Sequence, residues 1–240
     1  FALTNPLAVQ LDKPVSDFQR KDLLKIIEER GIERVSFHYT ALDGRLKELK
    51  VPVWNRGQAD AVLAQGERVD GSSLFKGIVE TAVSDLYVVP DYKTAFLNPF
   101  DSKSLDFICR YLTHEGKPAN FTPDNILAKA CDLFTKKTGI EFHALGELEF
   151  FLVRSPDQNI FPLKEQRGYH ESTPFVKSGG MLNEMVRLLA QITGAIKYAH
   201  SEVGSIKNIQ SEYSEINGKQ AEQLEVEFLP RPAQEMAEAL

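Results

Sequence analysis

Apolar positions along the chain change period several times, and each change predicts an element. Residues 1–15 show no period and read as an irregular leader. Ser16-Asp-Phe-Gln19 has the form of a capping box, after which Phe18, Leu23, Leu24, Ile26 and Ile27 mark an amphipathic helix ending near Gly31. Alternation over 35–42 predicts a strand, Asp43-Gly44 a two-residue hairpin turn, and 46–53 the return strand. A short helix follows over 55–65, then a compact turn at Val69-Asp70-Gly71-Ser72-Ser73. Strands are expected over 85–91 and 104–112, and a boundary near Pro118-Ala-Asn120. Thr122-Pro123 opens a helix with an expected buried stripe at Ile126, Leu127, Ala130, Cys131 and Phe134, closed by Gly139.

The segment 143–153 carries apolar residues on both faces, Leu148, Phe150 and Leu152 on one, Leu145, Phe151 and Val153 on the other. That predicts a strand covered on both sides, with Glu147 and Glu149 on one face, about 6.5–7 Å apart, where water is scarce. An edge strand with one wet face is the alternative. A loop over 155–178 precedes a helix bearing Met181, Met185, Leu188, Leu189 and Ile192. A strand is expected over 194–203, an exposed loop over 204–219 and a strand over 220–228, followed by a helix from Pro232. In the last strand Glu222 shares a face with Leu224, Val226 and Phe228, and Gln223, Glu225 and Glu227 share the other.

Composition narrows the class. The chain has 240 residues, 42% hydrophobic and 26% charged, with net charge −6. No basic excess favours nucleic acid or an anionic membrane, and no apolar run is long enough to span a bilayer. Cys109 and Cys131 are expected as reduced thiols in a cytoplasmic protein. The chain begins at Phe1 and stops within a helical pattern, so part of a longer polypeptide is expected.

Buried like charges need raised pKa values or a cation. Glu147, Glu149, Glu202 and Glu225 are the leading carboxylates, and their convergence is most simply answered by a two-cation site for Mg²⁺ or Mn²⁺, which could also grip nucleotide phosphates. No Gly-x-x-x-x-Gly-Lys-Ser/Thr loop is seen, and no Ser/His/Asp order or Cys/His pair with useful spacing is visible. His38 reads as a satisfied or exposed strand histidine.

Over residues 30–240 the chain resembles the glutamine synthetase family. Val69-Asp-Gly-Ser-Ser73 with Ser84-Asp85-Leu-Tyr-Val-Val-Pro-Asp91 is similar to the family's Phe-Asp-Gly-Ser-Ser segment and Ser-Asp-x-x-x-x-Pro-Asp strand. Gly146-Glu-Leu-Glu-Phe-Phe151 resembles its Glu-x-Glu strand, His200-Ser-Glu202 its His-x-Glu, and Gln223-Leu-Glu225 its Gln-x-Glu. The resemblance implies an α+β protein: a leader and helix over 1–30, a β-grasp domain over 31–118, and over 119–240 the first part of a catalytic domain with a mostly antiparallel sheet. It implies that Glu147 holds one metal and Glu149, Glu202 and Glu225 the other. Asp70, with Ser73 in the substrate-binding segment, would bind ammonium and take its proton, in a site shared between subunits of a homo-oligomer. The implied reaction is ATP-dependent ligation of ammonia to the glutamate side chain; the alternatives are an amine or polyamine as nucleophile, and an inert homologue.

The chain also departs from the family. Residues 203–222 separate the His-x-Glu and Gln-x-Glu motifs, and Glu222 stands where the family has glycine, leaving Glu222 and Glu212 as rival ligands. The family's later His-x-His and arginines are not in these 240 residues, so the chain alone is expected to be inactive.

Overall fold

The computed structural model describes residues 2–79, 84–156, 161 and 165–240. The chain divides into two compact units, Phe1–Phe142 with Pro232–Glu238, and His143–Arg231 with Ala239–Leu240.

In the first unit the leader is not irregular. Asn5 caps a short helix, α1 (Pro6–Leu11), by accepting the Leu7 N–H at 2.8 Å. Its one buried side chain, Leu7, leaves no period to read. The cap of α2 (Arg20–Arg30) is also displaced from the expected Ser16: Asp22 accepts the Gln19 N–H at 2.8 Å. Strands β1 (Arg34–Thr40) and β2 (Leu46–Pro52) form the expected hairpin. Ala41 N–H meets the Arg45 carbonyl across it, so the loop is three residues, Leu42 to Gly44, rather than two.

Helix α3 (Arg56–Gln65) leads into β3 (Glu67–Asp70) and the single turn α4 (Gly71–Leu74). The expected compact turn is thus split between a strand end and a helix start. Strands β4 (Asp85–Pro90), β5 (Phe96–Leu97) and β6 (Ser104–Thr113) complete the sheet. Its order is β2-β1-β6-β4-β3 with β5 also on β6; β1 and β6 run parallel and the other pairs antiparallel. Leu23, Ile26, Phe37, Leu63, Phe75, Phe107 and Tyr111 fill its core. His38 is satisfied, its Nε2 lying 2.9 Å from Oδ2 of the buried Asp106. Both cysteines are free thiols, Cys109 buried and Cys131 half-buried.

Helix α5 (Pro123–Thr138) has its expected bounds, but its apolar stripe is not buried: Ile126 is 53% and Phe134 40% exposed. Helical periodicity specifies a face, and not what covers it.

The second unit holds β7 (His143–Ala144), β8 (Glu147–Arg154), α6 (Gly179–Thr193), β9 (Ile196–Ile206) and β10 (Gln220–Phe228), and the division falls within β11 (Arg231–Pro232). Helix α7 (Ala233–Ala239) follows, all but its last residue in the first unit. Strands β8, β10 and β9 form an antiparallel sheet in that order. The central strand β10 is the buried one, with Leu224, Val226 and Phe228 in the core. Strand β8 lies at the sheet edge, and the expectation that both its faces are covered fails: Glu147, Glu149, Phe151 and Val153 are exposed on one face and Leu148 on the other. Strand β9 continues to Ile206, beyond the expected Val203. The expected loop over 155–178 lies partly outside the described residues, at 157–160 and 162–164. Among the described residues no helix is long and apolar enough to cross a membrane.

Candidate functional site

Register in the second unit brings the predicted carboxylates together. Glu149 on β8 and Glu225 on β10 are direct cross-strand partners, and Glu147 pairs with Glu227. On its other side Glu225 faces His200 of β9. Two sets of side chains place one potential ligand atom each within 4.8 Å of the others: Glu147, Glu149 and Glu225, and His200, Glu202 and Glu225. Glu225 belongs to both. All four sequence-predicted carboxylates therefore meet around one buried residue, although the dryness expected of β8 is found on β10 instead.

The surroundings distinguish Glu225 from its neighbours. Its carboxyl is pushed above the usual range, first by burial and then by Glu147, Glu202 and Glu149, while His200 opposes the rise. His200 Nε2 stands 3.6 Å from Glu225 Oε2, and its Nδ1 stands 3.7 Å from Glu202 Oε1. Glu227 has the same parity but a different fate. Lys197 Nζ donates to it at 2.5 Å and holds its pKa below the usual range, with Tyr198 assisting. The rival Glu222 points to the opposite face of β10, where it accepts the Lys177 N–H at 3.1 Å and the Ser178 hydroxyl beside the start of α6. It is thereby committed away from the cluster. Glu212 lies exposed in the 207–219 loop and joins neither set.

The donor set suits a hard divalent ion. Carboxylate oxygens dominate, and a cation between the adjoining strands would offset their like charge. Sequence reasoning named His200 in a motif but did not place it among the site residues. It also missed the aromatic surroundings: His170 and Tyr169 stack at 4.1 Å between ring centroids, and His170 lies 4.3 Å from the His200 ring. Tyr198 is at 5.6 Å from His200. No spacing signals this, because 169–170 and 200 meet only through loop bonds such as His170 N–H to the Ser201 carbonyl at 3.0 Å.

In the first unit, Asp70 ends β3 and caps α4. It accepts the Ser72 N–H at 2.9 Å, the Ser72 hydroxyl at 2.7 Å and the Ser73 hydroxyl at 2.6 Å. These bonds, Ser73's first, lower its pKa to about 2. The Asp-Gly-Ser-Ser segment thus holds an exposed, firmly ionised carboxylate.

Residues 31–114 match the family model described as glutamine synthetase, β-grasp domain. Glutamine synthetases of Staphylococcus epidermidis and Staphylococcus aureus are each 26% identical to this chain over 195 residues, covering 79% of it and 43% of the relative. The chain thus spans less than half the length of these relatives. Among solved structures, a GmaS/ADP complex covers 90% of the chain at 16% identity with a TM-score of 0.68, the chain matching 46% of it. Plasmodium falciparum glutamine synthetase covers 92% at 22% identity with a TM-score of 0.67, again 46% of that chain. The resemblance to the glutamine synthetase family is borne out, as are the α+β class and the amino-terminal β-grasp fold.

Proposed function

We propose that this chain, carrying the β-grasp domain of the glutamine synthetase family, is the amino-terminal part of an ATP-dependent ligase that joins ammonia to the side-chain carboxylate of glutamate. The observation that carries the reading is the meeting of Glu147, Glu149 and Glu202 around the buried carboxylate of Glu225. Glu147 and Glu149, with Glu202, Glu225 and His200, would hold Mg²⁺ or Mn²⁺ in two sites. Bound there, the ions would neutralise phosphate charge and polarise the glutamate carboxylate. The similar structure of GmaS is a complex with ADP, which supports a nucleotide as a ligand.

In this reading an oxygen of the glutamate side-chain carboxylate attacks the γ-phosphorus of ATP, giving an acyl phosphate and ADP. Ammonia then attacks the carbonyl carbon, the C–O bond breaks and phosphate leaves. The Asp70 carboxylate binds ammonium and accepts the proton that frees the nucleophile's lone pair. Its three hydrogen bonds keep it ionised for the first role. Ser73 orients it. We place the enzyme in the cytoplasm as a homo-oligomer with Asp70 serving a neighbouring subunit.

A second reading, an amine in place of ammonia, draws on the rings near His200. Tyr169 and Tyr198 are 59% and 43% exposed, and aromatic faces attract ammonium groups. The test is phosphate release by the complete polypeptide with glutamate, ATP and Mg²⁺, comparing ammonia with amines. Release with ammonia supports the first reading, and release with amines alone the second. Absence of release with every nucleophile overturns both.

A further inference from the structure

Strands β9 and β10 do not pair evenly. Glu222 faces Ser205 and Leu224 faces Ser201, so a single residue of β10, Gln223, stands against Glu202, Val203 and Gly204 of β9. This is a bulge, and one of the residues it carries is Glu202. Bulges re-aim side chains and interrupt the ladder of backbone bonds. Here the missing bond is replaced by a side chain. The Gly204 N–H donates to Gln223 Oε1 at 3.0 Å. At its other end the same amide donates from Nε2 to Glu149 Oε2 at 2.6 Å, on the opposite strand.

We propose that Gln223 is a positioning residue that fixes two of the cation ligands at once, Glu149 through its NH₂ group and Glu202 through the bulge its carbonyl oxygen anchors. The inference rests on the cation-site reading above and extends it to how that site is held. An amide suits the task because it offers a donor and an acceptor on one short, neutral group. Aspartate or glutamate has no donor for Glu149, and lysine has no acceptor for Gly204. Glycine at 204 belongs to the same device. A Cβ there would lie 2.5 Å from Gln223 Oε1 and 2.8 Å from Phe151 Cζ. The amide could not then approach the backbone it anchors. Both ends close on the β10 side chain from neighbouring strands, so one residue of the central strand sets the spacing between ligands on the two outer strands.

The test is Mn²⁺ binding to the metal-free protein, by calorimetry, in the unsubstituted chain and in Gln223→Met, which keeps the volume and loses both hydrogen bonds. Partners that orient metal ligands contribute about 10–100-fold to affinity, and a loss of that size is expected in the folded variant. Wild-type affinity in folded Gln223→Met overturns the positioning role and leaves the cation site standing. No divalent binding by the unsubstituted chain overturns both. Should Gln223→Met fail to fold, the Gln223 side-chain amide resonance of the unsubstituted protein decides. A shift on adding Mg²⁺ that is absent in Glu149→Ala supports the proposal, and an amide indifferent to Mg²⁺ overturns it.

Discussion

Glu149 and Glu225 are directly opposed across the β8–β10 pair, two carboxylates in one rung of an antiparallel ladder. Like charges so placed destabilise a sheet. Replacing Glu225 by Gln removes one of them and should raise the metal-free stability by about 0.2–1 kcal/mol. The same change should abolish stabilisation by added Mg²⁺. Thermal denaturation with and without the ion checks both, and an unchanged response to Mg²⁺ would remove Glu225 from the proposed site.

The raised pKa of Glu225 has a defined consequence for pH. A carboxyl that binds its proton more tightly folded than unfolded favours the fold when protonated. Metal-free stability should therefore fall as pH rises from the ordinary value of 4.5 through the raised folded-state pKa, then level off. Glu225→Gln should lack that component. The measurement is the difference between the two proteins in denaturant unfolding across the window; a difference independent of pH would contradict the raised value.

Asp70 titrates in the opposite direction. Its folded-state pKa of about 2 lies below the ordinary 3.8, so its contribution is present above 3.8 and lost as pH falls through about 2. Because the Ser73 hydroxyl is the largest cause, Ser73→Ala should move the Asp70 carboxyl resonance midpoint up towards 3.8. Under the proposed function the same variant should weaken ammonium binding more than glutamate binding, read as separate KM values.

Glu222 and Glu225 are separated by two backbone positions on the chain between them, and the structure gives them unrelated work. Glu222→Ala leaves the Ser178 hydroxyl and Lys177 N–H without their acceptor and should cost about 1–3 kcal/mol of stability. Mn²⁺ affinity should be unchanged. A metal-binding defect in folded Glu222→Ala would reinstate it as a ligand.

Much of the fold was legible because local signals carried it. Pro123 and Gly139 bracket α5, and alternation alone placed β8, β9 and β10 within a few residues. What escaped depended on partners distant in sequence. Leu7 reveals α1 only through its burial in a core built by later strands. The parity of Glu225 and Glu227 is identical, and only Lys197 on the neighbouring strand tells them apart. Alternation also described β8 as covered, since it records which side chains are apolar and not whether the strand is central. The bulge opposite Gln223 was invisible for a related reason: it is a property of two strands' mutual register, and neither strand read alone contains it.

In the first unit β6 lies between β1 and β4 and also carries β5. Among the described residues, the hairpin made early in the chain and strands β3 and β4 are thus paired into one sheet only through residues 104–113. During synthesis, the two halves cannot be joined until some seventy further residues have emerged from Arg34 onward, the separation across the parallel β1–β6 pair. Joining of this sheet is therefore expected late, and a truncation before Ser104 should yield two unjoined pieces of sheet rather than a smaller version of the domain.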